Sequence, residues 1–188
     1  MKLESKGERV ILGIDPGTSV MGYGLLRERG NEISLITLGI VKMDHLKDQA
    51  LKLQCIFNKT TEIIKVYQPD CIALEAPFFG KNIQSMLKLG RAQGVAMAAG
   101  LAFNIPIFEY APRKIKQSVT GNGNAGKEQV AAMLKSLLRF EEEPQFLDAT
   151  DGLAAAVCHS FQKTSNNSNL QSYSGWGAFV KENQGRIK

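Results

Sequence analysis

The sequence contains little cysteine, and it has no apolar run long enough to cross a membrane. Its three cysteines, Cys55, Cys71 and Cys158, are too few and too widely spaced for a disulfide framework or a zinc site, which favours a reducing compartment. No window approaches the roughly 20 consecutive apolar residues of a spanning helix. The basic N-terminal residues are not followed by the apolar segment of a signal peptide. We therefore expect a soluble, cytoplasmic protein.

The chain also lacks a strong excess of either charge. It has 23 Lys and Arg residues against 18 Asp and Glu residues, a net charge of +5 over 188 residues. This length predicts one domain and excludes a large two-domain enzyme. Residues 164–175 are rich in Ser and Asn and predict a flexible linker. We expect a globular domain over residues 1–163, followed by the linker and a basic, aromatic tail up to residue 188.

The tail beyond the linker combines Trp176 and Phe179 with Lys181, Arg186 and Lys188. Such a segment can fold back onto the domain or contact a polyanion, but a frayed chain end is the more common outcome.

Apolar runs and periodicities predict an α/β fold with a mixed five-stranded sheet and helices on both faces. The first three strands form an antiparallel meander, and a crossover helix makes the first and fourth strands parallel. The predicted strands are residues 10–14, 22–28, 33–43, 71–76 and 106–110. The predicted helices are residues 45–68, 82–103, 112–119, 127–139 and 145–161.

Four acidic residues could meet in this topology. Asp15 and Glu75 follow two strands predicted to be parallel neighbours, while Asp148 and Asp151 share one face of the last helix. Each also has a purely structural interpretation. Asp15 suits a turn, Asp148 and Asp151 suit a helix N-cap with its capping-box partner, and Glu75 could form a buried ion pair.

Four uncompensated carboxylates at one point repel one another, so the cluster favours divalent cations between them. Because all four are hard oxygen ligands, Mg²⁺ or Mn²⁺ is expected rather than zinc.

Six separate blocks of sequence carry a resemblance to a known family. The first block is residues 11–17 (ILGIDPG) with 22–24, and the second is 73–75 (ALE) with 78 and 81–82. The third is 88–90 with 94–96, and the fourth is 108–110 (FEY) with 116–117. The fifth is 121–127 (GNGNAGK), and the sixth is 148–151 (DATD) with 159. Over about residues 10–161 the chain resembles the RuvC family of bacterial Holliday junction resolvases, endonucleases with the ribonuclease H fold.

The resemblance implies a homodimer that cuts four-way DNA junctions by paired symmetric cuts in recombination and repair. Asp15, Glu75, Asp148 and Asp151 occupy the positions of the family's four acids, which hold two Mg²⁺ ions. Two-metal hydrolysis would leave 5′-phosphate and 3′-hydroxyl ends. The family also implies cooperation with the RuvA-RuvB branch-migration complex.

The resemblance further implies DNA contacts, made by Phe78, Lys81, Lys88, Arg91, Lys116 and Lys127. Lys116 and Lys127 fall where the family has basic residues near the scissile backbone, although surface lysines are often only solvated. Phe78 falls where the family stacks an aromatic ring on junction bases, although it could be a core residue. His159 lies eight residues after Asp151, roughly 12 Å along a helix, and is interpreted as structural.

Several competing interpretations are weaker. Residues 121–127 match a phosphate-binding loop except at Glu128, where Ser or Thr should follow, and no strand precedes them. Residues 13–18 resemble the phosphate loop of actin-like ATPases and sugar kinases, but the chain has no room for their second lobe. An inactive DNA-binding module should have lost one of the acids, so a related nuclease with another substrate is the main alternative.

The helix over residues 82–103 carries Gly90, Gly94 and Ala98 at intervals of four residues. This ridge of small residues allows close approach of a second helix. We expect it to form the dimer interface, the alternative being that it packs on the chain's own sheet.

Overall fold

The computed structural model describes residues 7–77, 82–140 and 147–167, the last of these with side chains as far as residue 162. A five-stranded sheet has the order β3-β2-β1-β4-β5. The strands are β1 (Glu8–Asp15), β2 (Val20–Arg29), β3 (Glu32–Lys42), β4 (Cys71–Glu75) and β5 (Ile107–Tyr110). β1, β2 and β3 pair antiparallel, whereas β4 pairs parallel with both β1 and β5. The predicted mixed α/β sheet is confirmed.

The helices follow the predicted order with small shifts at their ends. They are α1 (Gln49–Tyr67), α2 (Ile83–Leu101), α3 (Pro112–Thr120), α4 (Lys127–Leu138) and α5 (Leu147–Asn167). α1 begins later than predicted because Asp48 is its N-cap and accepts a 2.9 Å hydrogen bond from the Ala50 amide. It ends where Gln68 adopts a left-handed conformation before Pro69.

Helices cover both faces of the sheet and enclose two hydrophobic cores. On one face, α1 and α2 pack over residues such as Leu12, Ile14 and Leu74. On the other face, α3, α4 and α5 pack over Ile11 and Ala73. Alternate residues of β1 and β4 therefore point to opposite cores. The odd-numbered positions that lead to Asp15 and Glu75 face α5.

The ridge on α2 does not pack on the chain's own sheet, so that alternative is wrong. Gly90, Gly94 and Ala98 are exposed, and no described atom lies within 4 Å of a Cβ added at either glycine. α2 instead faces the sheet with its buried Ala92, Ala96 and Ala99.

α5 continues to Asn167, four residues past the predicted domain end at Lys163. The remainder of the predicted linker and the aromatic tail lie outside the described residues, so the division of the chain at residue 163 stays a prediction. Among the helices described, none is both long and apolar enough to span a membrane.

Candidate active site

Asp15 and Glu75 end two adjacent parallel strands. The register pairs Ile14 of β1 with Leu74 of β4, so the next residues of the two strands lie side by side. Both side chains are half-buried at the carboxyl edge of the sheet. Parallel strands present their carboxyl ends at one edge, which is why the predicted proximity of these two acids is confirmed.

Four glycines allow α5 to lie directly on β1 and β2. A Cβ on Gly13 or Gly22 would overlap backbone atoms of α5, and one on Gly152 would lie 2.7 Å from the carbonyl oxygen of Gly22. A Cβ on Gly24 would likewise lie 2.6 Å from the Cα atom of Leu153 on α5. Glycine inside a strand is a signal for such close approach. Close packing was predicted from the sequence only for the small residues of α2, so the contact of α5 with these glycines was not predicted.

This contact places the first turn of α5 beside the strand ends. Gly22, which pairs with Asp15, lies against the carbonyl of Asp148. Asp148 is inside the first turn rather than the residue that precedes it. Its carboxylate and that of Asp151 both accept hydrogen bonds from Lys127, so their capping-box interpretation does not describe the structure. β1, β4 and α5 thus bring the four predicted acids to one edge of the sheet.

Lys127, the first residue of α4, links the two acids of α5. Its Nζ atom lies 3.2 Å from Oδ1 of Asp148 and 2.5 Å from Oδ2 of Asp151. Asp151 is the more buried partner, with 16% of its side chain exposed against 46% for Asp148. Lys127 was predicted to contact DNA phosphate, and its position against the acids was not foreseen.

Burial and mutual repulsion raise the pKa values of the two strand-end acids. Burial, followed by the charge of Asp151, raises the pKa of Asp15 to about 6. Burial, followed by the charges of Asp15 and Asp151, raises the pKa of Glu75 to about 8. The positive charges of Lys127 and Lys116 offset only part of this effect on Glu75. The buried ion pair considered for Glu75 therefore does not account for its environment.

Lys127 and Asp151 are tightly coupled. Burial raises the pKa of Asp151, although the hydrogen bond and charge of Lys127 act in the opposite direction. Burial alone would lower the pKa of Lys127, but its hydrogen bonds to Asp151 and Asp148 and their charges raise it above its usual value. The lysine is therefore a permanent cation against the acids of α5.

The chemistry of this donor set fits a divalent cation. Four carboxylates offer hard oxygen ligands, and burial together with the charges of neighbouring acids raises the pKa of Asp15 and of Glu75 in spite of the opposing charge of Lys127. Within the ranges that the structure describes, no three His, Cys, Asp or Glu side chains are already gathered around one point as metal ligands. The acids of α5 point to the Lys127 ammonium instead.

The predicted DNA-contact residues are only partly described. Lys116 is half-buried on α3, and its charge acts on Glu75 and Asp151. Lys88 and Arg91 are exposed on the first half of α2. Phe78 and Lys81 lie outside the described residues.

The loop over residues 121–126 joins two helices, α3 and α4. A phosphate-binding loop of the P-loop type follows a strand, so this part of the structure agrees with rejecting that interpretation. Gly121 ends α3 in a left-handed conformation with φ of 75°, and its amide bonds back to the carbonyl of Gln117.

Comparisons with known proteins agree with this arrangement. Residues 11–159 match the family described as crossover junction endodeoxyribonuclease RuvC. The chain is 57% identical to the crossover junction endodeoxyribonuclease RuvC of Christiangramia forsetii, over 97% of this chain and 95% of the relative. It is 56% identical to that of Cytophaga hutchinsonii, over 96% and 89% of the two chains.

A solved structure is similar as well. The T. thermophilus RuvC in complex with a Holliday junction substrate superposes with a TM-score of 0.77 at 29% sequence identity. The match covers 84% of this chain and 96% of that one.

Proposed function

The chain belongs to the RuvC family of crossover junction endodeoxyribonucleases, and from this membership we propose that it resolves four-way DNA junctions in homologous recombination and DNA repair. The observation that carries the proposal is the meeting of Asp15, Glu75, Asp148 and Asp151 at one edge of the sheet. Paired symmetric cuts would release two duplexes with 5′-phosphate and 3′-hydroxyl ends.

The four acids would hold two Mg²⁺ ions, for which Mn²⁺ would substitute. When bound, such ions supply the positive charge that activates water and stabilises the leaving oxygen of a phosphodiester. The protein contributes the placement of the ligands. Asp15 and Glu75 are fixed by the sheet, and Asp148 and Asp151 are fixed by the contact of α5 with Gly13 and Gly22.

Two lysines would neutralise the charge of the reacting phosphate. Lys127 is already at the acids, and Lys116 is near enough for its charge to act on Glu75 and Asp151. An ammonium held in a partly buried site stabilises developing negative charge more effectively than one in bulk water. Both lysines would therefore act on the reacting phosphate and would not bind the metal ions.

Contacts away from the reacting bond would orient the junction. Lys88 and Arg91 are exposed on α2 and available to DNA phosphates. Lys81 would add a further charge, and Phe78 would stack on a junction base, because both follow Glu75 closely in the sequence.

A second copy of the chain is the proposed partner of α2. The exposed residues spaced along one face of this helix form the α2 stripe, which consists of Ile83, Leu87, Gly90, Gly94, Ala98 and Leu101. Its large apolar side chains are 69%, 51% and 60% exposed at Ile83, Leu87 and Leu101. Small residues between apolar ends allow two helices to approach closely. A two-fold dimer would hold two active sites at the fixed separation that paired cuts require.

The same family membership supports a cytoplasmic protein that works with the RuvA-RuvB branch-migration complex. A motor that moves the crossover point would bring different sequences to the two active sites.

One assay tests the proposed function. The protein is incubated with a mobile four-way junction and with plain duplex of the same sequence, each with Mg²⁺ or with a chelator. We expect paired nicks in the junction only, and only with Mg²⁺. Equal cleavage of the duplex would favour a related nuclease with another substrate.

A further inference from the structure

A set of polar contacts joins α5 to β1, β2 and β5 and involves none of the four acids of the candidate active site. His159 of α5 is buried, with 4% of its surface exposed. Its Nδ1 atom lies 2.7 Å from the hydroxyl of Tyr110, and its Nε2 atom lies 3.5 Å from the guanidinium of Arg9. Arg9 in turn donates a 2.8 Å hydrogen bond to Glu28 of β2.

The partners of His159 assign its protons. Because a guanidinium can only donate, we assign Nε2 as the acceptor and place the ring proton on Nδ1. His159 then donates to the hydroxyl oxygen of Tyr110. The ring of Phe108, 4.3 Å away between centroids, covers the imidazole. His159 is therefore held in one orientation by groups from β1 and β5.

Tyr110 connects these polar contacts to Glu75, the acid of β4. In the sheet Tyr110 pairs with Glu75, and its carbonyl accepts a 2.9 Å hydrogen bond from the amide of Ala76. The backbone of Tyr110 is thus bonded beside Glu75, while its hydroxyl is bonded to α5. Burial raises the pKa of Tyr110, so its hydroxyl stays protonated at neutral pH.

The Tyr110–His159 hydrogen bond joins parts of the fold that hold different acids of the candidate active site. Glu75 is on β4, whereas Asp148 and Asp151 are on α5, the helix that holds His159. We propose that the Tyr110–His159 hydrogen bond is a positioning contact. It adds to the glycine contacts of α5 with β1 and β2 by holding α5 against β5, the neighbour of β4, and so helps to set the separation between Glu75 and the two aspartates of α5.

This proposal rests on the proposed function, because it assigns these acids to a common metal site. Groups that hydrogen-bond directly to metal ligands change metal affinity or activity about 10- to 100-fold when they are replaced, and a contact that acts through the backbone of α5 should fall at the lower end of that range. A merely structural contact would instead lower thermal stability and leave metal binding unchanged. The two roles therefore predict different measurements.

The test compares Tyr110→Phe, which removes only the hydroxyl, with two other variants. His159→Asn retains a donor near the position of Nδ1 and serves as the conservative replacement. Tyr67→Phe removes a tyrosine hydroxyl at the end of α1, away from the acids, and is the matched control. Each full-length protein is titrated with Mn²⁺ by calorimetry without DNA. Single-turnover cleavage of a four-way junction is then followed across Mg²⁺ concentrations.

For Tyr110→Phe we expect about tenfold weaker Mn²⁺ binding and an about tenfold lower cleavage rate at saturating Mg²⁺. Junction affinity in chelator should be unchanged. His159→Asn should stay within about threefold of wild type for both quantities, and Tyr67→Phe should match wild type. A Tyr110→Phe protein that melts earlier but retains wild-type metal binding and cleavage would overturn the positioning role. A wild-type protein that binds Mn²⁺ but cuts no junction would refute the proposed function alone.

Discussion

The ammonium of Lys127 lies 2.5 Å from the carboxylate of Asp151 and reaches it from a different helix. The same ammonium is 3.2 Å from Asp148. Lys127 thus provides positive charge where the proposed function requires a metal cation. A metal ion would therefore compete with the Lys127 ammonium for the carboxylate oxygens of Asp148 and Asp151. Once displaced from these oxygens, the ammonium could contact a phosphate.

Lys127→Ala should therefore separate cleavage from metal binding. Loss of the ammonium at the reacting phosphate should lower the single-turnover rate about 100-fold. Mn²⁺ binding should be at least as tight as in wild type, because the competing cation is gone. Calorimetry and junction cleavage measure the two effects. Lys116→Ala, which alters the charge near the acids without removing a bond to them, should slow cleavage without tightening metal binding. Weaker Mn²⁺ binding by Lys127→Ala would contradict the competition.

Glu75→Gln should abolish cleavage while junction binding survives. The amide keeps the size of the side chain but removes an anionic oxygen from the proposed metal site. We expect a loss of about a thousandfold in rate, equivalent to roughly 4 kcal/mol. Gel-shift measurements in chelator report binding, and single-turnover cleavage with Mg²⁺ reports the rate. Cutting at a near wild-type rate would remove Glu75 from the site. We expect Asp148→Asn to lower the cleavage rate less than Glu75→Gln does, since a neutral amide oxygen can also bind a metal at this half-exposed position.

Without metal, the stability of the protein should fall as pH rises from about 4 to 8. Asp15 and Glu75 have folded pKa values of about 6 and about 8, against ordinary values of 3.8 and 4.5. Between these limits the folded state binds more protons than the unfolded chain, so raising the pH favours unfolding. At about 1.4 kcal/mol per pKa unit, the loss summed over both groups has an upper bound of roughly 8 kcal/mol.

Urea denaturation in chelator at several pH values measures this slope. Glu75→Gln cannot lose a proton at this position, so its slope between pH 6 and 8 should be flatter. An equal slope in wild type and Glu75→Gln would show that another group titrates in this range.

The order of elements and the proximity of Asp15 to Glu75 could be predicted because they follow from local signals. Apolar runs define β1 and β4, and the crossover rule makes them parallel. The close contact of α5 with the sheet could not be located in this way. It depends on Gly13 and Gly22 meeting Gly152, which is more than 100 positions away in the chain, and periodicity within one element carries no such information.

Side-chain partners were the least predictable feature. Lys127 begins α4, and Tyr110 ends β5, yet each bonds to a residue of α5. Both bonds depend on how the helices lie over the sheet, which single elements do not specify. Similarly, the sequence of the α2 ridge allowed internal packing as the alternative to the expected dimer interface, and only the exposure of Gly90 and Gly94 excludes that alternative.

That exposure makes Gly94→Leu a decisive test of the proposed dimer. No described atom lies within 4 Å of a Cβ at Gly94, so leucine fits the isolated subunit, and it should stabilise α2 by about 0.5 to 1 kcal/mol because glycine is a poor helix former. The same side chain would separate two α2 stripes packed against each other. Sedimentation at micromolar concentration should therefore show wild type at twice 20.6 kDa and Gly94→Leu near 20.6 kDa. Ala132→Leu, on the exposed face of α4, is the control and should remain dimeric. A fully dimeric Gly94→Leu protein would place the interface elsewhere, because leucine at the centre of closely packed helices cannot be accommodated without moving them apart.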